Sequence, residues 1–87
     1  MRYTKEERDS RRVLALGLVT LYVMKGYDHV TLSSHKYDAE VTVYVDTEEE
    51  AKKAEQESQL SIVAGCSSQI QKWHNENGDY YTYSVEY

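Results

Sequence analysis

Three histidines, one cysteine and a scatter of carboxylates are the residues of this chain that could do chemistry. His29, His35 and His74 show no paired metal-ligand spacing, and with a single cysteine a structural zinc site would need scattered ligands to converge. Cys66 and His74 can be drawn as nucleophile and base, but no third group to orient the base is evident. Asp79 and Glu86 fall on one hairpin rather than across a cleft, which gives paired-carboxylate catalysis no support. No glycine-rich phosphate loop is present. The expectation is therefore a protein that is not an enzyme and holds neither metal nor cofactor. The lone Cys66 excludes an internal disulfide and reads as a buried thiol in a reducing compartment, the cytoplasm.

Two groups of residues point instead to binding. The first is acidic: Glu48, Glu49, Glu50, Glu55 and Glu57 can imitate phosphates on a basic groove, or they can be the solvated face of a helix whose N-terminus collects negative charge. The second is aromatic: Trp73, Tyr80, Tyr81 and Tyr83 lie on either side of an Asn77-Gly78 turn, which should bring Trp73 close to Tyr81 or Tyr83. Such a cluster can stack on a base, anchor a protein partner, or simply pack over the helices. Composition favours binding: nine tyrosines and no phenylalanine give rings that carry both apolar area and a hydroxyl. A net charge of −5 argues against direct binding to nucleic acid, which needs lysine and arginine to displace counterions. The charge is uneven: residues 1–12 hold five basic and three acidic groups, so the rest of the chain carries −7.

The elements that must position these residues follow from period and caps. Eighty-seven residues bound one domain with a small core. Thr4 and Glu7 have capping-box spacing, and a helix from about 5 to about 25 should end at Gly26. Its segment from Val13 to Met24 is apolar nearly all round, which implies that a second face is buried, with another copy of the chain as the candidate partner. Twelve apolar residues are too few to cross a bilayer. Ser10-Arg11-Arg12 loosely resembles an export signal, but acidic neighbours and the lack of a small-residue cleavage site oppose that, so no membrane is expected. A hairpin over about 28–45 follows, with Val41, Val43 and Val45 alternating against Thr42 and Tyr44. Thr47 and Glu50 repeat the capping-box spacing before a second helix over about 47–58, with Ala51 and Ala54 on its narrow apolar stripe. A second hairpin spans about 61–86. The expected fold is α+β, in the order α-β-β-α-β-β, with a mostly antiparallel four-stranded sheet and both helices on one face.

The stretch Val41-Thr-Val-Tyr-Val-Asp-Thr-Glu-Glu-Glu-Ala-Lys-Lys-Ala, with a hairpin closing at Asn77-Gly78-Asp79-Tyr80, resembles the β-α-β-β modules of small phage-encoded inhibitors, including anti-CRISPR and host-takeover proteins. The resemblance implies an inhibitor that acts in the host cytoplasm by occupying the basic, nucleic-acid-binding surface of a host or defence protein. It carries over no binding residue. The alternative is an oligomeric binder of a small ligand or nucleotide that stacks it on tyrosine and Trp73.

Overall fold

A computed structural model describes residues 4–34, 38–59 and 66–87 of the chain. The elements are α1 (Lys5–Met24), β1 (Val30–Ser34), β2 (Ala39–Val45), α2 (Glu48–Glu57), β3 (Ser67–Asn75) and β4 (Gly78–Glu86). This is the α+β order expected. The strands form one antiparallel sheet in the order β1-β2-β4-β3. Strands β2 and β3 run the same way with β4 between them, so β2-α2-β3 is a split β-α-β unit. The part of the second hairpin expected at 61–65, and the turn residues 35–37, lie outside the described residues.

Local chemistry fixes each helix end. At the start of α1, the Glu7 N–H donates to Thr4 Oγ1 (3.1 Å) and the Thr4 N–H donates to Glu7 Oε1 (3.3 Å), a complete capping box. Its C-terminus closes through Gly26, whose φ of +92° suits glycine. The Gly26 N–H donates to the Val23 carbonyl and the Tyr27 N–H to that of Tyr22, at 3.1 and 3.2 Å. Both bonds of a Schellman motif are thus made, and the Tyr22 and Tyr27 rings meet edge-on, 5.1 Å apart, as its apolar contact. The box expected at α2 is only half formed. Glu50 N–H donates to Thr47 Oγ1, but the Glu50 carboxylate accepts from the Thr47 hydroxyl (3.0 Å) rather than from the cap's own N–H.

The core lies between the helices and one face of the sheet. Ala15, Leu18 and Tyr22 of α1 and Ala51 and Ala54 of α2 meet Val41, Val43, Val45, Tyr83, Val85 and Tyr87, all buried. Helix α1 packs on β1 and β2, and α2 on β4 and β2. Two tyrosines stitch the layers together. Tyr22 Oη donates to the Ala54 carbonyl (2.6 Å), joining the helices, and Tyr83 Oη meets Ser58 Oγ (2.6 Å), joining β4 to the end of α2. Burial pushes the Tyr22 phenol far above its ordinary pKa.

Among the described residues, helix α1 is covered on one side only. The expectation that its apolar circumference is buried does not hold within the chain: Val13, Leu16, Val23 and Met24 are 56–82% exposed. A three-layer arrangement would be needed to cover that side, and α1 is itself an outer layer. Among the described residues, no helix is long and apolar enough to cross a membrane.

Candidate functional site

The face of the sheet away from the helices has no covering element among the described residues. Period-two alternation decides what it presents. With Val41, Val43 and Val45 turned to the core, β2 offers Glu40, Thr42 and Tyr44; with Tyr83 and Val85 turned inward, β4 offers Tyr80, Thr82 and Ser84. Pairing carries the same parity to the edge strands, where Thr31 and Ser33 lie on β1 and Gln69, Gln71 and Trp73 on β3.

At one end of this face an aromatic row crosses β2, β4 and β3, led by a ring from just before β1. The His29 ring, just before β1, stacks on Tyr44 with centroids 4.1 Å apart and planes within 16°. Tyr44 lies 6.5 Å from Tyr80, and Tyr80 lies 6.3 Å from Trp73, with interplanar angles of 29° and 14°. A backbone bond from the Tyr44 N–H to the His29 carbonyl (2.9 Å) sets the first pair. Trp73 is fixed by its Nε1–H, which donates to Thr82 Oγ1 at 2.8 Å, yet it remains 43% exposed. Thr42 and Ser84 share a hydroxyl hydrogen bond of 2.9 Å in the floor beside the row. No lysine or arginine occupies the described positions of this face, and its carboxylates, Glu40 and Glu86, pair at the end remote from the rings.

Beside the His29, Tyr44 and Tyr80 part of the row opens a concavity of about 620 Å³. The α1–β1 connection lines one wall with Lys25, Tyr27 and His29; Asp46, Glu50 and Lys53 line another; Asn75 and Tyr80 complete it. Tyr27 Oη donates to Glu57 Oε1 (3.0 Å), and Lys25 Nζ lies 3.4 Å from Glu57 Oε2. Burial, reinforced by the Glu57 carboxylate, pushes the Tyr27 phenol up to about 12.

The residues singled out by sequence are distributed over several surfaces. Trp73 and Tyr80 come together on the open face. Tyr81 lies on the opposite face, half-buried, and Tyr83 is fully buried in the core. Trp73 therefore meets Tyr80 and Thr82, not Tyr81 or Tyr83, because residues of one parity share a face. The acidic set is also divided. At 100° per residue the buried Ala51–Ala54–Ser58 stripe separates Glu48 and Glu55 from Glu50 and Glu57, with Glu49 outermost. Glu48 pairs with Lys52 (3.3 Å), Glu50 serves the cap, and the Glu57 side chain, only 13% exposed, is held by Tyr27 and Lys25. Neither His29, weighed in the sequence only as a metal ligand, nor Tyr44 belongs to the binding groups expected from sequence. Tyr44 could have been found, since an aromatic at the outward position of a Val-X-Val-X-Val strand must face away from the core. His29 belongs to no strand pattern, and only the pairing shows its place.

The reactive groups do not converge. Cys66 precedes β3, where its Sγ accepts from Arg11 Nη1 at 3.5 Å. His74 sits near the far end of that strand, roughly 26 Å away at about 3.3 Å per residue. There His74 Nδ1 is 2.7 Å from Asp79 Oδ1 and Lys72 Nζ is 3.3 Å from Oδ2. These neighbours, His74 first, hold the Asp79 carboxyl below the usual range. Asp79 and Glu86 stand near opposite ends of β4. Among the described residues, no group of three or more His, Cys, Asp or Glu could hold a metal ion. No protein-family profile, curated protein or solved structure matches the chain.

Proposed function

We propose that this chain is a protein-binding module that engages its partner with the open face of the sheet, centred on His29, Tyr44, Tyr80 and Trp73. The observation that carries this reading is the row itself: four neighbouring rings on a face with no covering helix among the described residues. Exposed tyrosine and tryptophan held in one conformation are the residues that dominate protein interfaces, since little entropy is lost when they are covered. A face without lysine or arginine among its described residues is poorly suited to a phosphate backbone, which favours protein over single-stranded nucleic acid. The net charge of −5 steers association towards a partner with a basic contact region, such as a host or defence protein that otherwise holds nucleic acid. The chain then acts as an inhibitor by occupation. In this reading the glutamates of α2 contribute to long-range attraction, and the aromatic row supplies the contact.

The test uses tagged protein and nuclease-treated lysate, with Tyr44→Ala/Trp73→Ala beside Glu49→Lys. A stoichiometric protein captured by the parent chain and by Glu49→Lys, and lost with the double alanine variant, is the expected result. Capture that survives the double substitution refutes this surface. Trp73 is the chain's single tryptophan, so its emission reports directly on occupation of the row.

A second reading rests on the concavity, where Lys25 and Lys53 stand beside the His29–Tyr44 stack. A nucleotide could stack there and offer its phosphates to the lysines. It requires a rise in melting temperature in a nucleotide panel, abolished by Tyr44→Ala. No rise with any nucleotide removes this reading and leaves the first untouched.

A further inference from the structure

We propose that the uncovered side of α1 is the seat of a second copy of this chain, paired antiparallel across a two-fold axis near the middle of the helix. The side is a continuous apolar stripe: Val13, Gly17, Thr20 and Met24 lie directly opposite the buried Ala15, Leu18 and Tyr22, and Leu16 and Val23 flank them. Thr20, the one polar residue in it, donates its hydroxyl to the Leu16 carbonyl of its own helix (2.9 Å) and so needs no outside partner.

Two observations identify the occupant. Positions 13, 17, 20 and 24 are spaced 4-3-4, a pattern unchanged when the helix is reversed. An antiparallel copy therefore sets Val13 against Met24 and Gly17 against Thr20 on both sides of the axis, an isologous contact that closes on itself. The macrodipoles of the two helices then oppose, which is favourable. Gly17 is the second observation. Glycine inside a helix is destabilising relative to alanine, and a Cβ at Gly17 would meet nothing within 4 Å. Nothing among the described residues requires it. A neighbouring helix would, because a glycine beside the crossing point lets two axes approach to the lower end of the usual 8–10 Å. At on the order of 100 Å² for each of the four exposed apolar side chains, the two stripes cover about 800 Å², the scale of a weak, concentration-dependent pair rather than of a tight one. The aromatic row lies on the far side of the sheet, so both rows stay free and the pair is bivalent.

The experiment is sedimentation equilibrium of the intact chain from about 1 μM to about 500 μM, a span that covers weak and moderate dimers. The parent chain should move to twice the chain mass. Leu16→Glu should remain at the single-chain mass with an unchanged far-UV spectrum, because the position is exposed in the single chain. Gly17→Leu separates the two roles of that residue: it should raise the melting temperature of the single chain and abolish pairing. On a Cys66→Ser background, mixed Gly17→Cys and Thr20→Cys chains should join by a disulfide more readily than either chain with itself. Single-chain mass for the parent at every concentration overturns the proposal and assigns the stripe to a different kind of partner. Pairing that persists in Leu16→Glu or Gly17→Leu also overturns it, by moving the contact elsewhere.

Discussion

Tyr83 is the residue whose position in the core can be tested most sharply, because its hydroxyl sits in a chain with only one consistent direction. Ser58 Oγ is 2.7 Å from the Glu55 carbonyl and 2.6 Å from Tyr83 Oη. A carbonyl can only accept, so the single serine proton goes to Glu55, and Tyr83 must donate to Ser58. Both side chains are fully buried. Tyr83→Phe removes one neutral bond and leaves Ser58 still donating, a loss of about 1 kcal/mol. Ser58→Ala is worse. It leaves the buried Tyr83 O–H without an acceptor, which costs about 2–3 kcal/mol. The Glu55 carbonyl does not add to that, since it also accepts from the Ser58 N–H and from Gln59 Nε2. The double variant removes donor and acceptor together and should be more stable than Ser58→Ala alone. Urea unfolding followed by far-UV circular dichroism gives the three values as shifts in midpoint at constant slope. For a domain of this size each 1 kcal/mol also moves Tm by roughly 4–8 °C. The reasoning is refuted if Ser58→Ala costs no more than Tyr83→Phe, or if the two losses simply add. Either result would mean that the Tyr83 hydroxyl is not committed to Ser58, and would reopen Tyr83 as a residue able to meet a partner.

Other outcomes follow from the same geometry. Tyr27 and Tyr87 have folded-state pKa values pushed up to about 12 by burial, against an ordinary value of 10.0, so the folded state favours their neutral forms. Their contribution is complete below pH 10 and is lost as pH rises through about 12; absorbance titration should show a late group of phenols ionising together with unfolding, and Tyr27→Phe should lessen the alkaline loss. Asp79 behaves oppositely: its pKa is depressed, so its contribution is present above pH 3.8 and lost as pH falls through the lower folded value, and Asp79→Asn should remove that acid limb from Tm measured against pH. Gly78 has φ +115°, and Gly78→Ala should cost about 1 kcal/mol or more in urea unfolding although its surroundings are open. Glu49→Lys should leave stability within about 0.5 kcal/mol and lower the association rate and its salt dependence, with little change in dissociation, once a partner is in hand.

The turn at Gly78 illustrates how a correct signal can act through a different mechanism. Asn77-Gly78 marks a hairpin in the sequence because both residues tolerate positive φ, and the hairpin is there. Among the described residues, however, positive φ occurs only at glycine. The loop consists of Glu76 and Asn77, with Gly78 pairing Asn75 directly after it. That is a two-residue turn left in unbroken register, with glycine in the left-handed region at the first paired position after it. The Asn77 N–H donates to Asn75 Oδ1 (2.8 Å), so the asparagine at 75 helps to form the turn.

Local rules written in the sequence determined the elements. Threonine caps with a glutamate three residues on start both helices, Gly26 ends the first, and the Val41–Val43–Val45 alternation defines the buried face of a central strand. Each depends on neighbours within one turn or one pleat, so a single chain read in order contains it. The same is true of the outward position of Tyr44, and of the apolar excess on α1 that the other described residues do not cover. Only the tertiary structure decided which aromatics meet. The order β1-β2-β4-β3 places β4 between β2 and β3, and this brings Tyr44 to Tyr80 across 36 residues and His29 to the head of the row. Strand order depends on which edges pair after collapse, a long-range choice that no local period encodes. The same choice sent Tyr83 to the core and Trp73 to the surface.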